Sequence, residues 1–441
     1  MLPKRFRPSL AALSAGMALG LPLAAQAQSL QELYDAAHGY DATYLAARSL
    51  ADSATYRAAQ AEALNRPTLA GSASTNNAQN DYPRLGSSDI ASRQVSLNGR
   101  YPLFNRANSA TIEQARRSLE TARADLDTAE QDLIVRVAQA YFDVLAAQDT
   151  LGTTRANKTA ITETLASAKR NFEVGTATIT DTREAQARFD LATAQEIAAD
   201  NDLRTKRIAL DQLVGRTGVA PRPLLVPVLL PDTVPANADE WVNVADAQHP
   251  SVLRARVGLD VAKLETAKAK AAALPTLDAV GALGMSYSRG ITIAIPGTTK
   301  SASLGLQMNL PLYTGGATQN RIEETLALEE KSRNDLEAAR RGVAQGTRVA
   351  YFGVHSGVAQ VKALEAAEAS SKLALEATQL GYKVGVRVNL DVLNAQTQLF
   401  QTQRDLAKAR YDVMVGGLRL RQASGRLTPD DVAATNRLLQ P

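Results

Sequence analysis

Residues 303–316 read Ser303-Leu304-Gly305-Leu306-Gln307-Met308-Asn309-Leu310-Pro311-Leu312-Tyr313-Thr314-Gly315-Gly316. Up to Leu310, apolar side chains alternate with small or polar ones, the period of a strand with one apolar face. Pro311 and two glycines end that pattern. From Gly315 to Tyr382 no proline follows, a run of 68 residues. As a helix it would reach about 100 Å, at about 1.5 Å per residue. Globular helices usually stop near about 20 residues, so this one belongs to a coiled coil or a helical tube. A strand handed directly to such a helix decides the fold.

Upstream, Leu277, Ala279, Gly281, Leu283, Met285 and Tyr287 alternate in the same way. The two runs therefore form one hairpin, about 276–312, around a turn-rich stretch, 289–300, that holds Pro296 and Gly297. Before it, 238–274 reads as a helix stopped by Pro275.

All of this occurs twice. Tyr141-Phe142 returns as Tyr351-Phe352, Phe172-Glu173-Val174-Gly175 as Tyr382-Lys383-Val384-Gly385, and Asp181 as Asp391. Arg66-Pro67-Thr68-Leu69 returns as Leu274-Pro275-Thr276-Leu277. A nearly constant offset implies one structural unit used twice. Repeat 1 covers 28–215: a helix over 29–66, a hairpin at about 68–103 with a turn-rich tip over 76–89, a long helix over 105–172, a tip turn at 173–181 and a returning helix to 215. Thr180 or Asp181 is expected to start the returning helix, with Glu184 three residues after Asp181 as a capping-box partner. Repeat 2 covers 238–425 in the same order, with its long helix at 315–382 and tip turn at 383–390. Residues 216–237, with five prolines, link the repeats midway along the rod. A tail, 426–441, follows.

Core positions of the long helix step by three and four (Leu119, Ala122, Leu126, Ala129, Leu133, then Val137, Ala140, Val144, Ala147, Leu151). The extra four-residue step from Leu133 to Val137 is a stutter, which unwinds a left-handed supercoil. It predicts helices running nearly straight around a wide tube. Deleting four residues there is expected to disturb assembly of the trimer argued below, read as its loss on a native gel.

The N-terminus reads as a secretory signal. Lys4, Arg5 and Arg7 precede an apolar run over 10–23, and Ala25-Gln26-Ala27 is a cleavage site. Its removal takes the formal charge from +4 to +1, which argues against nucleic acid as a partner. There are no cysteines, so disulfides and a lipid-anchored N-terminus are excluded. No later stretch reaches 18 apolar residues, so membrane entry would have to be by strands. Aromatic residues are only 5% of the chain, which fits helical-tube composition rather than a large enzyme core. No phosphate loop, nucleophile elbow or zinc spacing is present, so no catalytic, cofactor or metal site is expected.

Two hairpins give four strands, too few to close a barrel, and open edges are not tolerated in lipid. Three copies would supply twelve. The expected architecture is mainly α with membrane β: a long coiled-coil-like α-helical barrel in the periplasm, continuous with a 12-stranded outer-membrane β-barrel shared by three protomers. The other class of function is a non-conducting periplasmic coiled-coil envelope scaffold, which has no need of lipid-facing strands.

The strand–helix junction Leu310-Pro311-Leu312-Tyr313-Thr314-Gly315-Gly316, the paired tips ending at Gly175 and Gly385, and the paired Asp181 and Asp391 together resemble the TolC family of outer-membrane channel proteins, over essentially the whole mature chain. That resemblance implies a homotrimer in the outer membrane, extending into the periplasm. It implies an exit duct for a tripartite efflux pump or type I secretion system. A periplasmic adaptor would dock at the tips around Gly175 and Gly385, joining an inner-membrane pump of ABC or resistance type. It further implies a closed aperture held by Thr180, Asp181, Tyr382 and Arg387, with Arg387 bridging a carboxylate such as Asp181. Asp391 would line the bore as a charge ring. Asn394 stands where the family's better-known members carry a second aspartate, which implies weaker cation trapping.

Overall fold

The computed structural model describes residues 27–440 apart from 84–85, 226, 229, 231–232 and 290–296. The expected signal sequence lies outside the described residues, save Ala27. The first repeat runs α1 (Leu30–Tyr40), α2 (Ala42–Glu62), β1 (Thr68–Tyr82), β2 (Gly86–Phe104), α3 (Arg106–Glu173) and α4 (Ile179–Val214). The second runs α5 (Ala238–Gln248), α6 (Pro250–Ala271), β3 (Thr276–Arg289), β4 (Gly297–Asn309), α7 (Ala317–Lys383) and α8 (Asn389–Ala423), followed by α9 (Pro429–Asn436). The long helices have 68 and 67 residues.

The single helix expected over 29–66 is two helices, broken at Asp41. Asp41 turns extended (φ −62°, ψ 114°) and its carboxylate accepts the Tyr44 N–H at 2.8 Å. Arg136 on α3 donates two more hydrogen bonds to that carboxylate, each 2.9 Å. The run over 238–274 breaks likewise at His249, where Pro250 drives the preceding residue out of the helical region. His249 Nδ1 accepts the Ser251 N–H at 3.1 Å. His249 thus corresponds to Asp41 in the first repeat. His38 packs against the rings of Tyr34 and Tyr44.

The four strands form one antiparallel sheet in the order β1-β2-β3-β4. The stretch 76–89, expected as a turn-rich tip, is mostly strand, and the ladder runs out to Tyr82 opposite Gly86. Polar side chains hid it from the alternation test, but ladder hydrogen bonds are made by the backbone whatever the side chain. Register sorts the faces. Gly71, Leu97, Leu283 and Ala302 lie in one row, Leu69, Gly99, Gly281 and Leu304 in the next, and Tyr101, Ala279 and Leu306 beyond. The other face carries Ser72, Ser96, Gly284 and Ser301, then Ser74, Gln94, Ser286 and Thr299. One face is apolar and the other polar, and Leu304 is 90% exposed on the apolar side. Among the described residues both outer edges, β1 and β4, lack a neighbouring strand. No helix among the described residues is long and apolar enough to cross a membrane.

The helices lie side by side in one layer. Near the sheet the order is α2, α3, α6, α7, and toward the far end it is α4, α3, α8, α7. The handover shows in the ties along α3: Asp125 to Arg254 and Arg136 to Asp41 on one side, Asp143 to Lys206 and Asp149 to Tyr411 on the other. The stutter at Leu133–Val137 falls inside this exchange of partners. Two left-handed glycines make the end-to-end joints possible. Gly215 (φ +69°) ends α4 with the Tyr40 ring where a Cβ would sit at 2.5 Å, and Gly425 (φ +72°) presses on the backbone of His249.

The main core sits at this joint, where Leu30, Leu33, Leu133, Tyr141, Phe142, Leu145, Leu210 and Leu418 are buried. The linker and tail close over it. The Leu225 N–H donates to Leu438 O at 2.9 Å and the Gln440 N–H to Pro223 O at 2.8 Å. Sixteen residues of α3 are buried but only five of α7, so α7 is an edge with an open face.

Candidate functional site

The end of the helical layer farthest from the sheet holds all eight residues singled out from the sequence. At the first tip, α3 stops at Val174 and Gly175 turns left-handed (φ 78°). The N–H groups of Thr176 and Ala177 then return to Asn171 O at 2.8 and 3.1 Å. At the second, Gly385 (φ 81°) does the same, with the Val386 and Arg387 N–H groups on Gly381 O at 2.9 and 3.1 Å. Chain reversal by a left-handed glycine satisfies carbonyls that the helix end leaves open.

Asp181 does not start α4. Thr178 is the N-cap, and Asp181 is the acid three residues on. Its Oδ2 accepts the Thr178 N–H at 2.9 Å and hydroxyl at 2.7 Å, while Thr178 Oγ1 accepts the Asp181 N–H at 3.2 Å. The capping box expected between Asp181 and Glu184 is therefore Thr178–Asp181. On α8 the pattern is half present. Asp391 Oδ2 accepts the Val388 N–H at 3.5 Å, but valine has no oxygen to complete the box. Negative charge in the first turn of each helix suits its dipole.

Within one protomer Arg387 pairs with Asp391, Nη1 to Oδ2 at 3.6 Å, and not with Asp181. They are four residues apart across the same helix start, so the pair is local. Arg387 also lies over Gly381, where a Cβ would meet its Cγ at 2.8 Å. Two bonds tie the tips together. Asn171 Nδ2 donates to the Tyr382 hydroxyl at 3.4 Å, and Arg188 Nη2 donates to Asn394 Oδ1 at 2.9 Å. Thr180 is exposed on the first turn of α4. Apolar side chains crowd the glycines: Val174, Val384 and Val386 are exposed, Val386 by 78%.

Each tie is weak. Exposed ion pairs contribute about 0–1 kcal/mol and single hydrogen bonds about 0.5–1.5 kcal/mol. A set of this size holds one arrangement of two helical hairpins yet yields to a partner that binds the other arrangement better. Sequence reading missed Thr178, Asn171 and Arg188. Thr178 carried a readable signal, a threonine three residues before an acid. Arg188 carried none, since its partner is 206 residues away.

A family model described as outer membrane efflux protein matches residues 33–216 and 241–426, one match per repeat. The chain is 32% identical over 425 residues to outer membrane protein TolC of Vibrio cholerae serotype O1, spanning 95% of this chain and 96% of that one. It is 34% identical over 308 residues to alkaline protease secretion protein AprF of Pseudomonas aeruginosa, spanning 68% of this chain and 63% of that one. Among solved structures, the outer membrane protein VceC of Vibrio cholerae superposes with a TM-score of 0.77 at 20% identity, over 90% of this chain and 96% of that one. CusC superposes with a TM-score of 0.79 at 18% identity, over 96% and 99%. At those identities the superpositions speak to the fold alone.

Proposed function

This chain belongs to the outer membrane efflux protein family, and from that premise we propose that three copies form a passive exit duct, opened at its periplasmic tip when an adaptor and pump dock. It is a protein of the cell outer membrane that extends into the periplasm. The carrying observation is the sheet: four strands, one face apolar and one polar, with both edges open. Unpaired edges cannot remain in lipid, so β4 of one copy would pair with β1 of the next, and three copies would close twelve strands. The open face of α7 would meet α2 and α4 of the neighbour in the same ring.

The aperture is assigned to Thr180, Asp181, Tyr382 and Arg387, with the α8 strip bearing Asp391 and Asn394 facing the bore. Supporting this are the ties between the two hairpins at that end and their small individual energies. The exposed valines beside Gly175 and Gly385 suit an adaptor that buries apolar tips. Cargo selection is assigned to the pump, because a water-filled duct discriminates mainly by size and charge. The test is purified protein in a planar bilayer. Discrete conductance steps from a detergent-stable trimer are expected, and a stable monomer or a silent bilayer would return the scaffold reading. The apolar sheet face argues against that scaffold.

A further inference from the structure

The α8 strip at the tip carries a charge that its own sequence does not reveal. Asp391, its one carboxylate at this level, already has a cation beside it, Arg387 at 3.6 Å. Asn394, one turn on, is neutral but accepts from Arg188 of α4 at 2.9 Å. An amide cannot cancel a guanidinium, which stays protonated at every physiological pH. Among the described residues Arg188 has no carboxylate within ion-pairing distance. Asp181, another carboxylate at this end, is turned into the start of α4 by Thr178, and Glu184 lies one turn before Arg188 on α4 without pairing to it. At these contacts two guanidinium groups, Arg387 and Arg188, therefore stand against the one carboxylate of the α8 strip, Asp391.

We infer that Arg188 is a selectivity-determining residue of the constriction, offsetting the cation preference that the Asp391 ring alone would give. This rests on the bore-facing reading of α8. Three copies brought together in a narrow, low-dielectric passage act on every passing ion, so a single side chain counts three times. Small anions and anionic cargo are then admitted where a bare carboxylate ring would retard them. Arg188 corresponds to Gln398 in the second repeat, so the cation is a feature of one tip and not of the duplicated unit.

The experiment is the reversal potential of the assembled full-length protein in a planar bilayer under a potassium chloride gradient. Arg188→Gln keeps a donor for Asn394 and removes the charge. The potassium-to-chloride permeability ratio is expected to rise about two- to fivefold. Asn394→Asp tightens the same tie while neutralising Arg188, and the ratio is expected to rise in the same direction. Arg188→Lys keeps the parent ratio. Equal ratios for the Gln and Lys variants, or opposite shifts for Arg188→Gln and Asn394→Asp, overturn the assignment, the latter because only the tie differs in sign. A parent protein that never conducts strikes the duct reading itself, and this assignment with it.

Discussion

Tyr141 and Tyr351, equivalent residues of the two repeats, hold opposite ends of the connection between them. The Tyr141 hydroxyl lies 2.9 Å from Arg222 O and 3.2 Å from Gln28 O, and the Tyr351 hydroxyl donates to Ala236 O at 2.6 Å. Both tyrosines are buried. Trp241 adds a second hold on the distal end, its Nε1–H donating to Pro235 O at 2.8 Å. A proline-rich segment offers few N–H groups for a ladder, so its carbonyls must be satisfied by side chains.

Removing either hydroxyl leaves a carbonyl without its donor. Tyr141→Phe and Tyr351→Phe are each expected to cost about 1–2 kcal/mol, read as a lower urea midpoint in detergent. Since they act on separate ends, their effects should add to within about 0.5 kcal/mol.

The paired helix breaks titrate in different windows. Burial holds the His249 imidazole below its ordinary 6.5, and its cap needs the neutral Nδ1 lone pair. The unfolded chain binds the proton more readily, so this contribution is complete above about pH 6.5 and is lost as pH falls below it. The Arg136 hydrogen bonds hold the Asp41 carboxyl below its ordinary 3.8, so its contribution survives until pH falls under that value. His249→Asn keeps a capping oxygen. It should flatten the stability profile between pH 5 and 7, where the parent loses about 1 kcal/mol. An unchanged slope would mean the cap does not titrate.

Register assigns the faces of the sheet, and charge should tell them apart. Leu97→Lys or Leu304→Lys places a cation on the apolar face, at about 2–4 kcal/mol per copy near mid-membrane. Ser96→Lys and Ser303→Lys place it on the polar face. The leucine variants are expected to lose heat-stable trimer in outer-membrane extracts, and the serine variants to retain it. Equal loss in both sets would sink the face assignment.

For the aperture, Arg387→Ala with Tyr382→Phe removes the Asp391 ion pair and the hydroxyl that accepts from Asn171. Single-channel conductance is expected to rise, because one of the two bonds between the hairpins and the cation beside Asp391 are gone. Unchanged conductance would dismiss these residues as gate elements.

The sequence alone determined the duplication, the two-period strands, the lengths of α3 and α7 and the presence of turns around Gly175 and Gly385. Each of those is a local property: periodicity, absence of proline, or a position only glycine fills readily. It misread the break at Asp41, because alanine-rich sequence stays helical in pattern and the break is stabilised by Arg136 from another helix. It ended β1 too early, because polar residues hide a strand whose ladder is backbone. Tertiary structure alone decided that Arg188 lies on Asn394, that Asn171 reaches Tyr382, and that linker, tail and the two tyrosines close over one core. Contacts between residues about 200 positions apart leave no trace in local pattern. They exist because duplication folds two copies of the same helix order side by side, so that the partner of each side chain is set by packing and not by spacing.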